Sequence, residues 1–276
     1  MVAVERRVPV LVFLAALVAL ALVFAWAFYP VGVDWRNSYS PALHSVWQPY
    51  DHSDFAGFPW LLLCVPHALL PLAWGNAANL VLNVSVLGAV IWVYRGGWPA
   101  LLLTFTSPVF LDLLRTNNVD WVPALAFLLP PTWGLPLLAA KPQTLGGAAL
   151  IWWKRSRFSA RMLLPVLAVG ALSFVVWPGW MGQLGMAHSD IRGTAWNFAP
   201  WPFAIPLGLY LLVRAYKLDD EVLAAAATPL LVPYFAPYSL TPLLALLACR
   251  HRTAALYLYF GLWFYLIVES RRIAAM

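Results

Sequence analysis

Residues 29–72 read YPVGVDWRNSYSPALHSVWQPYDHSDFAGFPWLLLCVPHALLPL. The stretch opens just past an apolar run, Val8 to Tyr29, with Gly32-Val33-Asp34-Trp35, and continues through His44, Tyr50, Asp51, His52 and Asp54. At Gly57-Phe58-Pro59-Trp60 it enters an apolar segment that reaches Trp74 but is interrupted by Pro59, Pro66 and Pro71. No other part of the chain holds as much polar chemistry. In an otherwise apolar chain, ionisable groups beside an expected lipid boundary mark a candidate functional site, because each costs free energy to place there. Whether Phe58 to Trp74 crosses a bilayer decides the topology of everything after it.

The chain is 63% hydrophobic and 10% charged, with 16 tryptophans, against roughly 45–50% apolar and about 25% charged in a soluble domain. This composition predicts an all-α, polytopic membrane protein. The net charge of +6 comes from short Lys and Arg clusters between apolar runs, the positive-inside pattern of cytoplasmic loops rather than a nucleic-acid surface. Cys64 and Cys249 lie within apolar runs without pairing or metal spacing, and read as packing residues. The Val8 to Tyr29 run is close to the ~20 residues a spanning helix needs and longer than the ~7–15 of a signal-peptide core, so it reads as an uncleaved anchor despite the cleavage-like Ala25-Trp26-Ala27.

With Phe58 to Trp74 on the outer surface, the following runs are Ala77 to Tyr94, Trp98 to Leu114, Trp121 to Leu129, Thr132 to Ala140, Leu145 to Trp153 and Met162 to Trp177. Trp201 to Tyr216, Val222 to Phe235, Ser239 to Ala248 and Ala254 to Val268 complete the set. The expectation is about eleven transmembrane or half-depth helices plus a proline-broken interfacial helix, in a single integral-membrane domain over 1–276. Arg6, Arg7, Arg95, Lys154, Arg155, Arg157, Arg161, Arg214, Lys217, Arg250 and Arg252, eleven of the seventeen cations, then face the cytoplasm. Asp34, Asp51, Asp54, Asp112, Asp120 and Asp190 fall outside, with His44, His52, His67 and His188; the Arg271-Arg272 tail also lands outside, against the pattern. The short middle runs, broken at Pro130-Pro131 and Lys141-Pro142-Gln143, imply a polar cavity open to the outer side, since freed backbone groups are tolerated only there or against protein. The polar outer segments are 30–75, read as a catalytic loop, and 178–200, a second loop.

Each candidate also has a structural reading. Asp34 suits the end of a helix, and Asp120, preceding Trp121, suits an N-cap. Lys141 lies at a junction of half-depth helices, where its charge calls for headgroups or an anion such as a lipid phosphate. In 178–200, Arg192 has the fork for bidentate phosphate binding and His188 can donate to phosphate or carry a proton, although a loop covering helix ends is also polar. Asp51, His52 and Asp54 read as solvated loop, with no metal predicted. Trp35 and Trp196 are candidates for stacking on a sugar.

The order of elements resembles the GT-C superfamily of integral-membrane glycosyltransferases, most nearly the polyprenol-phosphate-mannose-dependent enzymes of glycosyltransferase family 87. The likeness is carried by Asp34-Trp35, Tyr50, Phe58-Pro59 and Leu69-Leu70-Pro71, with Trp60 standing where a second proline is usual. It continues in Thr116-Asn117-Asn118-Val119-Asp120, Leu138-Ala139-Ala140-Lys141-Pro142 and Ala236-Pro237-Tyr238-Ser239-Leu240. The resemblance implies transfer of a sugar, mannose in family 87, from a polyprenyl-phosphate donor to a glycan or lipid acceptor hydroxyl, with inversion and no cofactor. It implies a multi-pass plasma-membrane protein whose site faces the extracytoplasmic side. Asp34 and Asp120 are then the catalytic candidates, and Lys141, Arg192 and His188 the donor-phosphate ligands. A transporter or flippase, or a non-catalytic GT-C-like membrane subunit, are the alternatives; no internal repeat of the kind transporters show is present.

Overall fold

The structure, a computed structural model, describes residues 32–51, 53–192 and 197–274 and a few isolated positions before residue 32; side chains of 187–192 and 269–274 lie outside the description. The first apolar run is therefore outside it. Among the described residues the protein is all-helical, with no strand.

A π-helical turn, Trp35–Tyr39, leads into α1, Ser40–His44. Phe58 to Trp74 then forms two 3-10 turns, Pro59–Cys64 and Pro66–Leu69, instead of a continuous helix. Proline supplies no N–H and disfavours helical geometry in the residue before it, and Val65 (φ −121°, ψ 46°) and Leu70 (φ −68°, ψ 159°) leave the helical region just ahead of Pro66 and Pro71. Helix α2, Leu72–Val93, begins directly after Pro71 and takes over the end of that run.

The expected Trp98 to Leu114 span is broken into α3, Gly97–Phe105, and α4, Pro108–Thr116, bent by 57°. Ser107 caps α4 by accepting from the Phe110 amide at 3.2 Å, and Pro108 occupies the first helical position, so the pair Ser107-Pro108 restarts the helix in a new direction. The middle of the chain follows as short pieces: α5, Trp121–Leu125, α6, Pro131–Ala140, α7, Pro142–Leu145, and α8, Ala148–Arg155. Helix α9, Leu164–Val176, turns through 92° into α10, Trp180–Arg192. The stretch 178–200 is thus largely helical where the sequence suggested a loop; Trp180 and Leu184, one turn apart, are buried and anchor a face of α10 that its glycines and polar residues obscure.

The chain ends with α11, Ile205–Leu218, α12, Glu221–Leu231, α13, Thr241–Arg250, and α14, Arg252–Ala274. Helix α13 is buried from Thr241 to Ala248 and packs against α2, α3 and α14, forming the centre of the core. Among the described residues, α2 is the one helix long and apolar enough to cross a membrane, or up to three spans exist if each bent pair counts as one. Most other apolar runs fold as shorter helices.

The two ends of α2 differ chemically. Beyond Val93, the Tyr94 ring lies under Arg250 at 6.0 Å, Tyr94 donates to Glu221, Arg155 pairs with Glu221 and Asp219, and Arg252 reaches the Gly96 carbonyl. His251 bonds Asp220, whose other oxygen caps α12 through the Val222 and Leu223 amides. At the Leu72 end lies a different set of polar groups, separated from the first by a helix of 22 residues, about 33 Å at ~1.5 Å per residue.

Candidate functional site

The site starts from three asparagines on α2. Asn76, Asn79 and Asn83 fall at i, i+3 and i+7, on one face of the helix, and all are buried. Asn79 donates to the Asn117 carbonyl at 2.8 Å and its side-chain oxygen at 2.9 Å, and Asn83 donates to the Asn118 carbonyl at 2.8 Å. Asn117 returns its amide to Asn76 at 2.6 Å. The Asn79 oxygen takes the Trp121 indole N–H at 2.8 Å and the Asn83 oxygen takes the Trp121 backbone N–H at 3.1 Å. Buried amides need such partners, and this ladder supplies them for the whole turn between α4 and α5. Asn117 adopts the left-handed conformation (φ 51°), which asparagine tolerates better than most residues.

Held in this way, the turn presents Asn118 and Asp120 in different directions. Asn118 donates to Asp34 Oδ2 at 2.6 Å and to the Tyr238 hydroxyl at 2.9 Å, while its oxygen accepts from Tyr39 at 2.8 Å and Lys141 Nζ at 2.7 Å. Two cationic or hydroxyl donors on the oxygen side fix the orientation of the amide. The Tyr238 hydroxyl also faces Asp34 as a hydrogen-bond donor, which favours the charged carboxylate. Lys141 also pairs with Asp120 Oδ1 at 2.7 Å, and the pair is enclosed, with side-chain exposures of 7% and 0%.

Asp34 sits on a chain segment pinned by Gly32, whose N–H donates to the Arg115 carbonyl at 2.9 Å. Gly32 has φ +81°, and a Cβ there would collide with the Asn76 side chain. The carboxylate lines a cavity of about 350 Å³ together with Asn37, Asp54, Asp112, Arg115, Asn118, Lys141 and Tyr238. Residues 54–58 line it as well: the Asp54 amide bonds the Asn37 carbonyl at 2.9 Å, and Tyr50 donates to the Gly57 carbonyl at 2.8 Å.

Burial holds the Asp34 carboxyl above the ordinary carboxylate range; the Asn118 and Tyr238 hydrogen bonds and the Lys141 charge pull it back down, and Asp120 adds to the rise. Burial first, and the Asp34 charge second, hold the Tyr39 and Tyr238 phenols well above their usual value, so both stay protonated donors.

Of the residues singled out in the sequence, Asp34, Asp120 and Lys141 are brought into one network. Asp34 and Lys141 line the cavity; Asp120 does not, and stands behind Lys141. Asp120 makes no capping bond to α5, the helix it precedes: the Val122 amide goes to the Val119 carbonyl, Pro123 has no N–H, and the Trp121 amide goes to Asn83. His188 and Arg192 belong to α10, but their side chains lie outside the described residues, as do His52 and Trp196. Trp35 is fully buried and stacked on His67 at 4.9 Å, so it offers no face to a ligand. Asp54, read as solvated loop, reaches the cavity. Among the described residues no group of three His, Cys, Asp or Glu side chains gathers as a metal site.

The sequence reading missed the asparagine ladder and the roles of Asn118, Tyr39 and Tyr238. The signal for the ladder was present as three amides at helical spacing in an apolar run. Comparison with family models, curated proteins and solved structures finds no match to this chain.

Proposed function

We propose that the protein is a multi-pass membrane glycosyltransferase of GT-C type, moving a sugar from a polyprenyl-phosphate donor to an acceptor hydroxyl with inversion. One observation carries the reading: a half-buried carboxylate, Asp34, is oriented by two neutral donors at the wall of a polar cavity that also presents Lys141.

An inverting transfer needs a base positioned at the acceptor hydroxyl and positive charge where the phosphate departs. In this reading Asp34 accepts the hydroxyl proton as the acceptor oxygen attacks the anomeric carbon, and the bond to the donor phosphate breaks on the opposite face. Asn118 and Tyr238 hold the carboxylate while leaving it lone pairs for the acceptor. Lys141 faces the leaving phosphate with its position set by Asp120, which makes Asp120 a positioning residue. His188 and Arg192 remain proposed phosphate ligands from α10.

Membrane placement is part of the proposal. Large apolar side chains face outward on α9 (Leu167, Phe174, Val175), α11 (Leu207, Val213) and α14 (Tyr257, Phe260, Phe264), the kind of exposed apolar surface that marks a membrane or protein contact. The separation of the Arg155, Arg250 and Arg252 end from the Asp34 end by the length of α2 fits a cytoplasmic and an extracytoplasmic face of a plasma membrane.

The test is transfer in liposomes containing the full chain, a polyprenyl-phosphate sugar labelled at the anomeric carbon and a panel of lipid and glycan acceptors. Inverted product is expected. Retention of configuration, or flip of the donor across the bilayer without transfer, would overturn the reading.

A further inference from the structure

Helix α8 ends at Arg155, and the two residues after Ser156 both turn left-handed: Arg157 has φ 56° and Phe158 φ 59°. A left-handed residue closes many helices, but glycine and asparagine are its usual occupants, and a bulky phenylalanine there is strained. The turn is nonetheless firmly fastened. The Arg157 amide bonds the Lys154 carbonyl and the Phe158 amide the Trp153 carbonyl, each at 2.9 Å, and the Ser159 amide reaches the Ser156 hydroxyl at 3.2 Å. Its effect is to set the Phe158 ring edge-on against Trp153, 5.2 Å between centroids, with 48% of the residue exposed. Backbone strain held in place by its surroundings points to a use for the side chains it displays.

The charges beside this turn are sorted. Lys154, Arg155, Arg157 and Arg161 fall within residues 154–161, which contain no acid. Lys154 pairs with Asp219 and Arg155 with Asp219 and Glu221, while Asp220 is taken by His251 and the α12 amides. Those three carboxylates are thus engaged. Arg157 and Arg161, both exposed, make no ion pair or side-chain hydrogen bond among the described residues. Just past Arg161 the outward apolar face of α9 begins, with Leu164 and Leu167 exposed. Two unpaired arginines and an exposed ring therefore stand at the foot of an apolar surface, the arrangement expected where a helix leaves hydrocarbon for anionic headgroups.

We propose that Arg157, Phe158 and Arg161 form a binding site for an anionic phospholipid of the cytoplasmic leaflet. The guanidinium groups take the headgroup phosphate, whose oxygens match their planar forks, and the phenyl ring enters between neighbouring lipids. The inference rests on the membrane placement proposed above and is independent of the sugar transfer.

The experiment compares retention of phosphatidylglycerol and phosphatidylcholine of the same acyl chains on the purified full chain in detergent, by native mass spectrometry, and follows the unfolding temperature alongside. The wild-type chain is expected to retain phosphatidylglycerol preferentially. Arg157→Gln and Arg161→Gln should each weaken phosphatidylglycerol retention roughly fivefold, the weight of one cation at an anionic surface, and leave phosphatidylcholine unchanged. Phe158→Ala should weaken both lipids alike. Arg157→Gly is the discriminating variant, because glycine removes the charge and relieves the left-handed strain: phosphatidylglycerol retention should fall while the unfolding temperature rises. A lower unfolding temperature with unchanged retention would show a turn that serves the fold alone and overturn the proposal. Lys217→Gln removes a cation exposed at the same end and should change nothing. An equal loss there would mean diffuse attraction by net charge, and it would overturn the site, as would equal retention of the two lipids by the wild-type chain. Failure of the membrane placement has a different signature, a folded chain that stays in solution without detergent, and it removes this site as well.

Discussion

Asn118 Nδ2 lies 2.6 Å from Asp34 Oδ2, joining residues 84 apart in the chain at the wall of one cavity. A single amide thereby couples the proposed base to the ion pair behind it, since its oxygen accepts from Lys141. Asp34→Asn keeps the shape of the site and removes its basicity. Transfer is expected to fall by a factor of ~10² or more, with polyprenyl-phosphate binding and thermal stability retained. Wild-type transfer by this variant, or loss of folding, would return Asp34 to a purely structural role.

The pH dependence has a defined direction. Because burial raises the Asp34 pKa above 3.8, activity should be lost on acidification at a pH higher than an ordinary aspartate would give. Tyr238→Phe removes a hydrogen bond that lowers this pKa, so the acid limb of kcat/KM should move further up. For stability the sign is opposite: the folded state holds this proton more tightly than the unfolded chain, so Asp34's contribution is most favourable below 3.8 and is lost as pH rises through its folded value. An acid limb that moves down in Tyr238→Phe would contradict the arrangement.

The Lys141–Asp120 pair is enclosed, so removing one member strands a buried charge. Lys141→Met alone is expected to destabilise by about 3–5 kcal/mol, measured by unfolding in detergent. Asp120→Asn combined with Lys141→Met should recover much of that loss. Equal stability of the single and double variants would mean that the two charges are not coupled.

Asn79 satisfies groups on three other residues, Asn117, Asn118 and Trp121. Asn79→Leu strands the Asn117 carbonyl and the Trp121 indole N–H, while the Asn118 carbonyl keeps Asn83; at about 1–3 kcal/mol per stranded group, it should lower both the unfolding temperature and transfer. Asn37→Ala, at an exposed cavity rim, should stay within about 0.5 kcal/mol of wild type.

Topology is testable with single cysteines in a background lacking Cys64 and Cys249. Asn37 and Arg157 are both exposed and belong to opposite ends of α2's length. An impermeant thiol reagent should label position 37 from outside intact cells and position 157 only after permeabilisation; labelling of both from one side would refute the membrane placement.

Much of the helical segmentation was legible because prolines and apolar runs act locally. Pro66 and Pro71 each set a boundary that backbone sterics dictate, whereas the break at Pro108 falls inside the expected Trp98 to Leu114 run and was passed over. The 92° turn before α10 was not legible, because it depends on Trp180 and Leu184 finding apolar partners far away in sequence. At the site, Asp34, Asp120 and Lys141 were recognisable as charges in an apolar chain. Their division of labour was not, since a residue's burial depends on the whole packing: Asp120 reads as a cap until Lys141, distant in sequence, pairs with its carboxylate.

The asparagine stripe on α2 bears on how the protein is made. In the membrane reading, α2 carries three amides that have no partners in hydrocarbon until residues 117–121 pack against it. Helix α2 is therefore a poor free-standing insert, and its stable residence in lipid waits on the α3–α4 segment that delivers the complementary turn. Biogenesis then proceeds through a hairpin as its smallest committed unit, and truncation before Asn117 should leave α2 exposed to quality-control proteolysis while truncation after Trp121 should protect it.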